Sequence, residues 1–150
     1  MELFDDVESI LDHKGHHIWF VGPEATVFDA IRWMSEKNVG ALLVIESGDL
    51  LGIISERDYT RKVILKDRSS KHTKVRDIMT TEITTVTPDA TVEEAMRVMT
   101  RHRVRHLPVV THAGRVTGVV SIGDLVERTI ATQRLVLEQL EGYIIGRYPG

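Results

Sequence analysis

Apolar positions along this chain follow two rhythms, and the same succession of rhythms occurs twice. Val27, Ala30, Ile31 and Met34 fall at i, i+3, i+4 and i+7, the spacing of one helical face. Val92, Ala95, Met96 and Met99 repeat that stripe. Thr26 and Thr91 stand just ahead as N-caps, with Asp29 and Glu94 three residues on, which predicts a capping box at each helix start. Short apolar runs follow each helix. Ala41 to Ile45 and Leu50 to Ile54 flank a turn at Ser47-Gly48-Asp49, and Leu107 to Val110 and Val116 to Val120 flank a turn from His112 to Arg115. Their β-branched residues predict a β-hairpin in each case. Ile18 to Val21 and Ile83 to Val86 read as strand-like stretches that end before Pro23 and Pro88. A second helix is predicted from Glu56 to about Leu65, and another from Asp124 to about Leu140. Each half therefore reads β-α-β-β-α, a mixed α/β (α+β) fold.

Direct alignment supports a duplication. Residues 23–47 laid over 88–112 match at ten of twenty-five positions, and 48–59 over 114–125 at four of twelve. Chance would supply roughly two identities over that span, so the chain is a repeat. The expected organisation is 7–67 for the first copy, 68–141 for the second with an extended last helix, and a tail at 142–150. One copy of about sixty residues buries little surface by itself, so two copies packed sheet to sheet are expected. Lys66 to Lys74 forms a polar connector. The last helix carries more apolar residues (Leu125, Val126, Ile130, Val136, Leu137, Leu140) than a lone surface helix needs. That surplus predicts a contact between chains or with the first segment.

Composition narrows the classes. No run approaches eighteen apolar residues, so no membrane helix is expected, and the acidic start MELFDDVESI does not read as a secretory signal. Cysteine is absent, which excludes disulfides and thiolate zinc sites and fits a cytoplasmic location. The formal charge of −3 argues against a general nucleic-acid binder. Positive charge must therefore act locally.

Two constellations carry candidate chemistry. The first is the strand-to-helix turn, Gly52-Ile53-Ile54-Ser55-Glu56-Arg57-Asp58 and Gly118-Val119-Val120-Ser121-Ile122-Gly123-Asp124. Its serine and aspartate could simply cap a helix, or they could receive a ribose phosphate, the carboxylate accepting from ribose hydroxyls. The second is basic: Arg101, His102, Arg103, Arg105 and His106, with Arg57 and Arg61 four apart on the earlier helix. A solvated helix end explains Arg101 and His102. Arg57, Arg61 and Arg105 could clamp a phosphate if the repeats face each other. His13, His16 and His17 lie within five residues but lack zinc-site spacing and read as a polar loop. No Walker A loop, G-x-G-x-x-G fingerprint or nucleophile–base arrangement is present, so no catalytic activity is expected.

The doubled pattern T-V-x-x-A-x-x-x-M, then an apolar strand, then G-h-h-S-x-x-D, resembles tandem CBS domains, the cystathionine-β-synthase-type regulatory module. Val104-Arg105-His106-Leu107-Pro108-Val109-Val110 and the lead-in Val75-Arg76-Asp77-Ile78-Met79-Thr80 carry the likeness most strongly. The resemblance implies two repeats about a pseudo-twofold with two clefts for adenine nucleotides, AMP foremost and NAD, ATP or ADP as alternatives, with no metal. One site would use Ser55, Arg57, Asp58 and Arg61, with Ile78, Thr80 and Thr81 from the second lead-in and Arg105, His106 and Leu107 from the second repeat. The other would use Ser121 and Asp124, with Lys14, Gly15, His16, Gly40 and Ala41. The resemblance also implies a homodimer and an unidentified effector protein, without nucleic acid or membrane. Gly123 stands where the first turn has Arg57, so the Asp58 site is expected to hold a charged nucleotide more tightly.

Overall fold

A computed structural model describes residues 5–144 of the chain. They divide into two compact units: His17–Ile83, and the residues up to His16 together with those from Thr84 on. Each is built from the predicted succession of elements.

In the His17–Ile83 unit, β1 (Phe20–Val21) lies parallel to β2 (Ala41–Glu46), which pairs antiparallel with β3 (Asp49–Ser55). Helix α2 (Val27–Lys37) joins the first two strands, the right-length crossover for a parallel pair. Its apolar stripe buries Val27, Ala30 and Met34 against Leu42, Val44 and Ile54. After β3 comes α3 (Glu56–Tyr59), which widens at once into a π-helical turn at Thr60–Ile64. The single α-helix predicted to Leu65 is thus one α-turn plus a π-turn. A short α4 (Val75–Ile78) closes the unit and buries Val75 and Ile78 in the same core.

In the other unit, α1 (Val7–Lys14), α5 (Val92–His102), the hairpin β4 (His106–Val110) and β5 (Val116–Ser121), and α6 (Ile122–Ile144) gather a separate core around Leu11, Ala95, Leu107, Val120 and Leu125. The strand expected at Ile83 to Val86 shrinks to one parallel bridge, Val86 to Val109. The cause is Pro108. In the first unit, the Leu43 amide donates to the Trp19 carbonyl at 3.2 Å. Pro108 stands at the position of Leu43 and has no N–H, so the ladder stops.

The lead-in helices change places. The Val7 amide donates to the Ala90 carbonyl at 2.8 Å, and the Val75 amide makes the same bond to Ala25 at 2.8 Å. Each lead-in therefore packs at the N-terminus of the other repeat's first helix, α1 beside α5 and α4 beside α2. The compact units consequently cut across the sequence stretches 7–67 and 68–141.

Helix starts follow the expected chemistry with one exception. Thr91 and Glu94 form a reciprocal capping box, but Thr26 accepts from the Asp29 amide without the return bond. The Asp29 carboxylate turns instead to Arg32, 3.2 Å away. Helix α6 begins two residues before the predicted start and continues past Leu140 to Ile144. Of the expected tail, 145–150 lies outside the described residues.

Candidate functional site

In the His17–Ile83 unit, Ser55 ends β3 and caps α3. Its hydroxyl accepts from the Asp58 amide at 3.2 Å, and Asp58 Oδ2 accepts from the Ser55 amide at 3.0 Å. The capping reading of this turn is fully realised. The aspartate does more than cap, however. Its second oxygen accepts from Thr80 Oγ1 at 3.1 Å and faces Lys62 Nζ at 2.9 Å. Lys62 also donates to the Ile78 carbonyl at 2.8 Å. A carboxylate that is only 8% exposed is thus surrounded by a lysine, a hydroxyl and an amide. Lys62 escaped the sequence reading, although its spacing four residues after Asp58 is a helical ion-pair signal.

One crossing brings predicted residues of this site together. The 78–81 segment crosses β3 through paired bonds between Ile53 and Thr80, at 3.0 and 2.9 Å. Ile78 is buried, Thr80 half-buried and Thr81 exposed. Gly40 and Ala41, expected at the Ser121–Asp124 site, instead flank this turn within their own unit: the Gly40 carbonyl accepts from the Glu56 amide at 3.1 Å, and Ala41 pairs with Ser55 across the hairpin that ends in the turn. Arg57 is exposed on α3 and Arg61 on the π-turn that continues it. A groove of about 720 Å³ between α2 and α3 is lined by Gly40 and Glu56 but by neither Ser55 nor Asp58.

The other unit repeats the arrangement with different supports. Asp124 Oδ2 accepts from the Ser121 amide at 2.8 Å, and Ser121 Oγ accepts from the Asp124 amide at 3.2 Å. Lys14 Nζ reaches the same carboxylate oxygen at 2.7 Å and the Val119 carbonyl at 3.0 Å. So each aspartate is paired with a lysine, from the π-turn that continues α3 in one unit and from the lead-in in the other. Gly15 ends α1, its amide bonded to Leu11, with φ at 106°. His16 bridges the Asp12 carboxylate at 2.8 Å and the Thr117 carbonyl at 2.9 Å, and these bonds raise its pKa. Among the described residues no group of three or more His, Asp or Glu is arranged to hold a metal.

Arg105, His106 and Leu107 belong to this second unit. The Arg105 carbonyl accepts from Ile122 at 2.9 Å, Leu107 is fully buried, and His106 lies opposite Ser121 across the hairpin. Burial lowers the pKa of His106; Asp124 opposes that, and Lys14 and Arg105 reinforce it. A histidine whose folded pKa lies below its unfolded value of about 6.5 contributes stability that is present above that value and lost as pH falls through the folded pKa. We therefore expect the melting temperature to fall more between pH 7.5 and pH 5 in the parent chain than in His106→Gln. Superimposable pH profiles would remove His106 from this role.

Comparison with known proteins agrees with the geometry. The CBS domain family matches residues 7–64 and 75–130. The mitochondrial CBS domain-containing protein CBSX3 of Arabidopsis thaliana is 48% identical over 139 residues, covering 89% of this chain and 66% of that protein. A solved CBS-domain protein from Burkholderia ambifaria, assigned to signal transduction, is 47% identical with a TM-score of 0.81, covering 85% of this chain and 95% of that one. A hexameric CBS-CP12 protein from bloom-forming cyanobacteria is 27% identical with a TM-score of 0.74, covering 83% and 68%. This chain spans about two thirds of the length of CBSX3. Two matched repeats, each closing on a serine–aspartate turn, place the chain in the CBS-domain family as a CBS pair, a regulatory module of the signal-transduction kind.

Proposed function

We propose that this CBS pair senses an adenine nucleotide, AMP foremost, without catalysing its turnover. The observation that carries the reading is the Asp58 carboxylate, buried, paired with Lys62 and fixed at the head of a helix that also bears Arg57 and Arg61. A fixed carboxylate acceptor suits the paired hydroxyls of a ribose, and guanidinium groups suit phosphate. The serine and aspartate recur at Ser121 and Asp124, but Gly123 and Glu127 replace the two arginines, which favours the Asp58 turn for a phosphorylated ligand. Bound nucleotide would shift the balance between two states of the chain, and an effector protein would read the shift. This reading puts the chain in the cytoplasm; among the described residues no helix is long and apolar enough to cross a membrane.

A thermal-shift screen over AMP, ADP, ATP, NAD, NADH and S-adenosylmethionine tests the reading. A true ligand at a hundred times its dissociation constant adds about 2.7 kcal/mol of stability. If no nucleotide raises the melting temperature, the turns serve only as helix caps. If a nucleotide is consumed, the sensor reading gives way to an enzyme.

A further inference from the structure

A carboxylate has about four acceptor positions, and at Asp58 the chain fills them itself. Oδ2 accepts from the Ser55 amide at 3.0 Å and from the Ser55 hydroxyl at 3.2 Å. Oδ1 accepts from Thr80 Oγ1 at 3.1 Å and from Lys62 Nζ at 2.9 Å. The hydroxyls of a ribose therefore bind this carboxylate only by displacing donors already there. The donors differ in how readily they leave. The Ser55 amide is fixed by the helix start, and the Ser55 and Thr80 hydroxyls can rotate without leaving the site. Lys62 alone carries charge, and its side chain, 43% exposed, meets water when it lets go. Asp124 is arranged differently. Lys14 shares Oδ2 with the Ser121 amide, and Oδ1 has no hydrogen-bond partner among the described residues. A hydroxyl reaches that oxygen without moving the lysine.

We propose that Lys62 makes the Asp58 turn selective for a phosphorylated nucleotide over its nucleoside. The inference rests on the adenine-nucleotide reading of this turn. Ribose hydroxyls take the place of the ammonium at Oδ1, and the ammonium is left without its anion. AMP supplies a new one, because its phosphate is carried by the same ribose. Lys62 lies beside Arg61 on the π-turn, so it joins the cations that meet that phosphate. Adenosine supplies none, and the ammonium keeps only water and the Ile78 carbonyl, 2.8 Å away. Lys62 thus opposes every riboside at the carboxylate and favours only the phosphorylated ones in return. Discrimination of this kind comes from a contact that the wrong ligand breaks and does not replace.

Calorimetric titration of the full chain with adenosine and with AMP tests the proposal, with circular dichroism to show that each variant folds. Lys62→Met keeps the aliphatic stem and removes the ammonium. It should strengthen adenosine binding by about tenfold and leave AMP within about threefold of the parent value, so the preference for AMP falls by about tenfold. Lys62→Gln also lacks the charge but keeps a donor, and it should lower the preference in the same way if Lys62→Met does not fold. An unchanged preference in the uncharged variants, or an equal loss of both compounds, would overturn the proposal and leave the nucleotide reading standing. Binding of neither compound by the parent chain would overturn both.

Discussion

Asp58→Ala is expected to lower nucleotide affinity by about a hundredfold or more, and Asp124→Ala to change it little. Two charge-assisted hydrogen bonds from ribose hydroxyls, at roughly 1.5–3 kcal/mol each, set the size of the first effect. The second is small because the turn around Asp124 offers Gly123 and Glu127 where the other offers Arg57 and Arg61. Asp58→Ala also removes the acceptor for Ser55, Thr80 and Lys62, so it should cost about 2–4 kcal/mol of stability. Asp58→Asn separates the two effects. It keeps an oxygen for the Ser55 amide and hence the cap, but it loses the charge that faces Lys62 and the ligand. Calorimetric titration with AMP should show Asp58→Asn folded and weakened, with Asp124→Asn close to the parent chain. Equal loss from both would remove the asymmetry, and full binding by Asp58→Asn would remove the carboxylate from recognition.

The parts of this site that are local in sequence were legible in it. Ser55 and Asp58 are three apart, and so are Ser121 and Asp124; a strand ending in serine before a helix suffices to predict their reciprocal bonds. The helices were legible for the same reason, since their apolar stripes fix a burial face over two turns. What could not be read was set by contacts between distant residues. The exchange of lead-ins rests on bonds such as Val7 to Ala90, which no periodicity encodes. The failed strand before Val86 was also decided from afar: Pro108 looks ordinary in an apolar run until its parallel neighbour is known. Lys62 shows a mixture. Its spacing from Asp58 is local, but its bond to the Ile78 carbonyl is what fixes the ammonium there.

Gly52→Ala is expected to be the costliest methyl that can be added to this fold's strands. A Cβ at Gly52 would lie 2.8 Å from the Thr80 carbonyl oxygen and 3.0 Å from Met79 Sδ. The nearer obstacle is backbone, so relief requires the 78–81 segment to lift off β3. That would stretch both bonds between Ile53 and Thr80 and draw Thr80 away from Asp58. At the equivalent Gly118 the nearest atoms all belong to the Leu11 side chain, the first at 2.8 Å, and a rotamer change can absorb part of that clash. Roughly 2–4 kcal/mol is expected for Gly52→Ala and about 1–2 kcal/mol for Gly118→Ala. The chain offers a clean probe. Its two tryptophans, Trp19 and Trp33, both lie in the His17–Ile83 unit, so fluorescence follows the unfolding of the unit that holds Gly52. Gly52→Ala should move the fluorescence midpoint in urea strongly downward. Equal shifts for the two alanine variants would mean that the lead-in segment yields as easily as a side chain, and the close crossing at β3 would not be what holds Thr80 against Asp58.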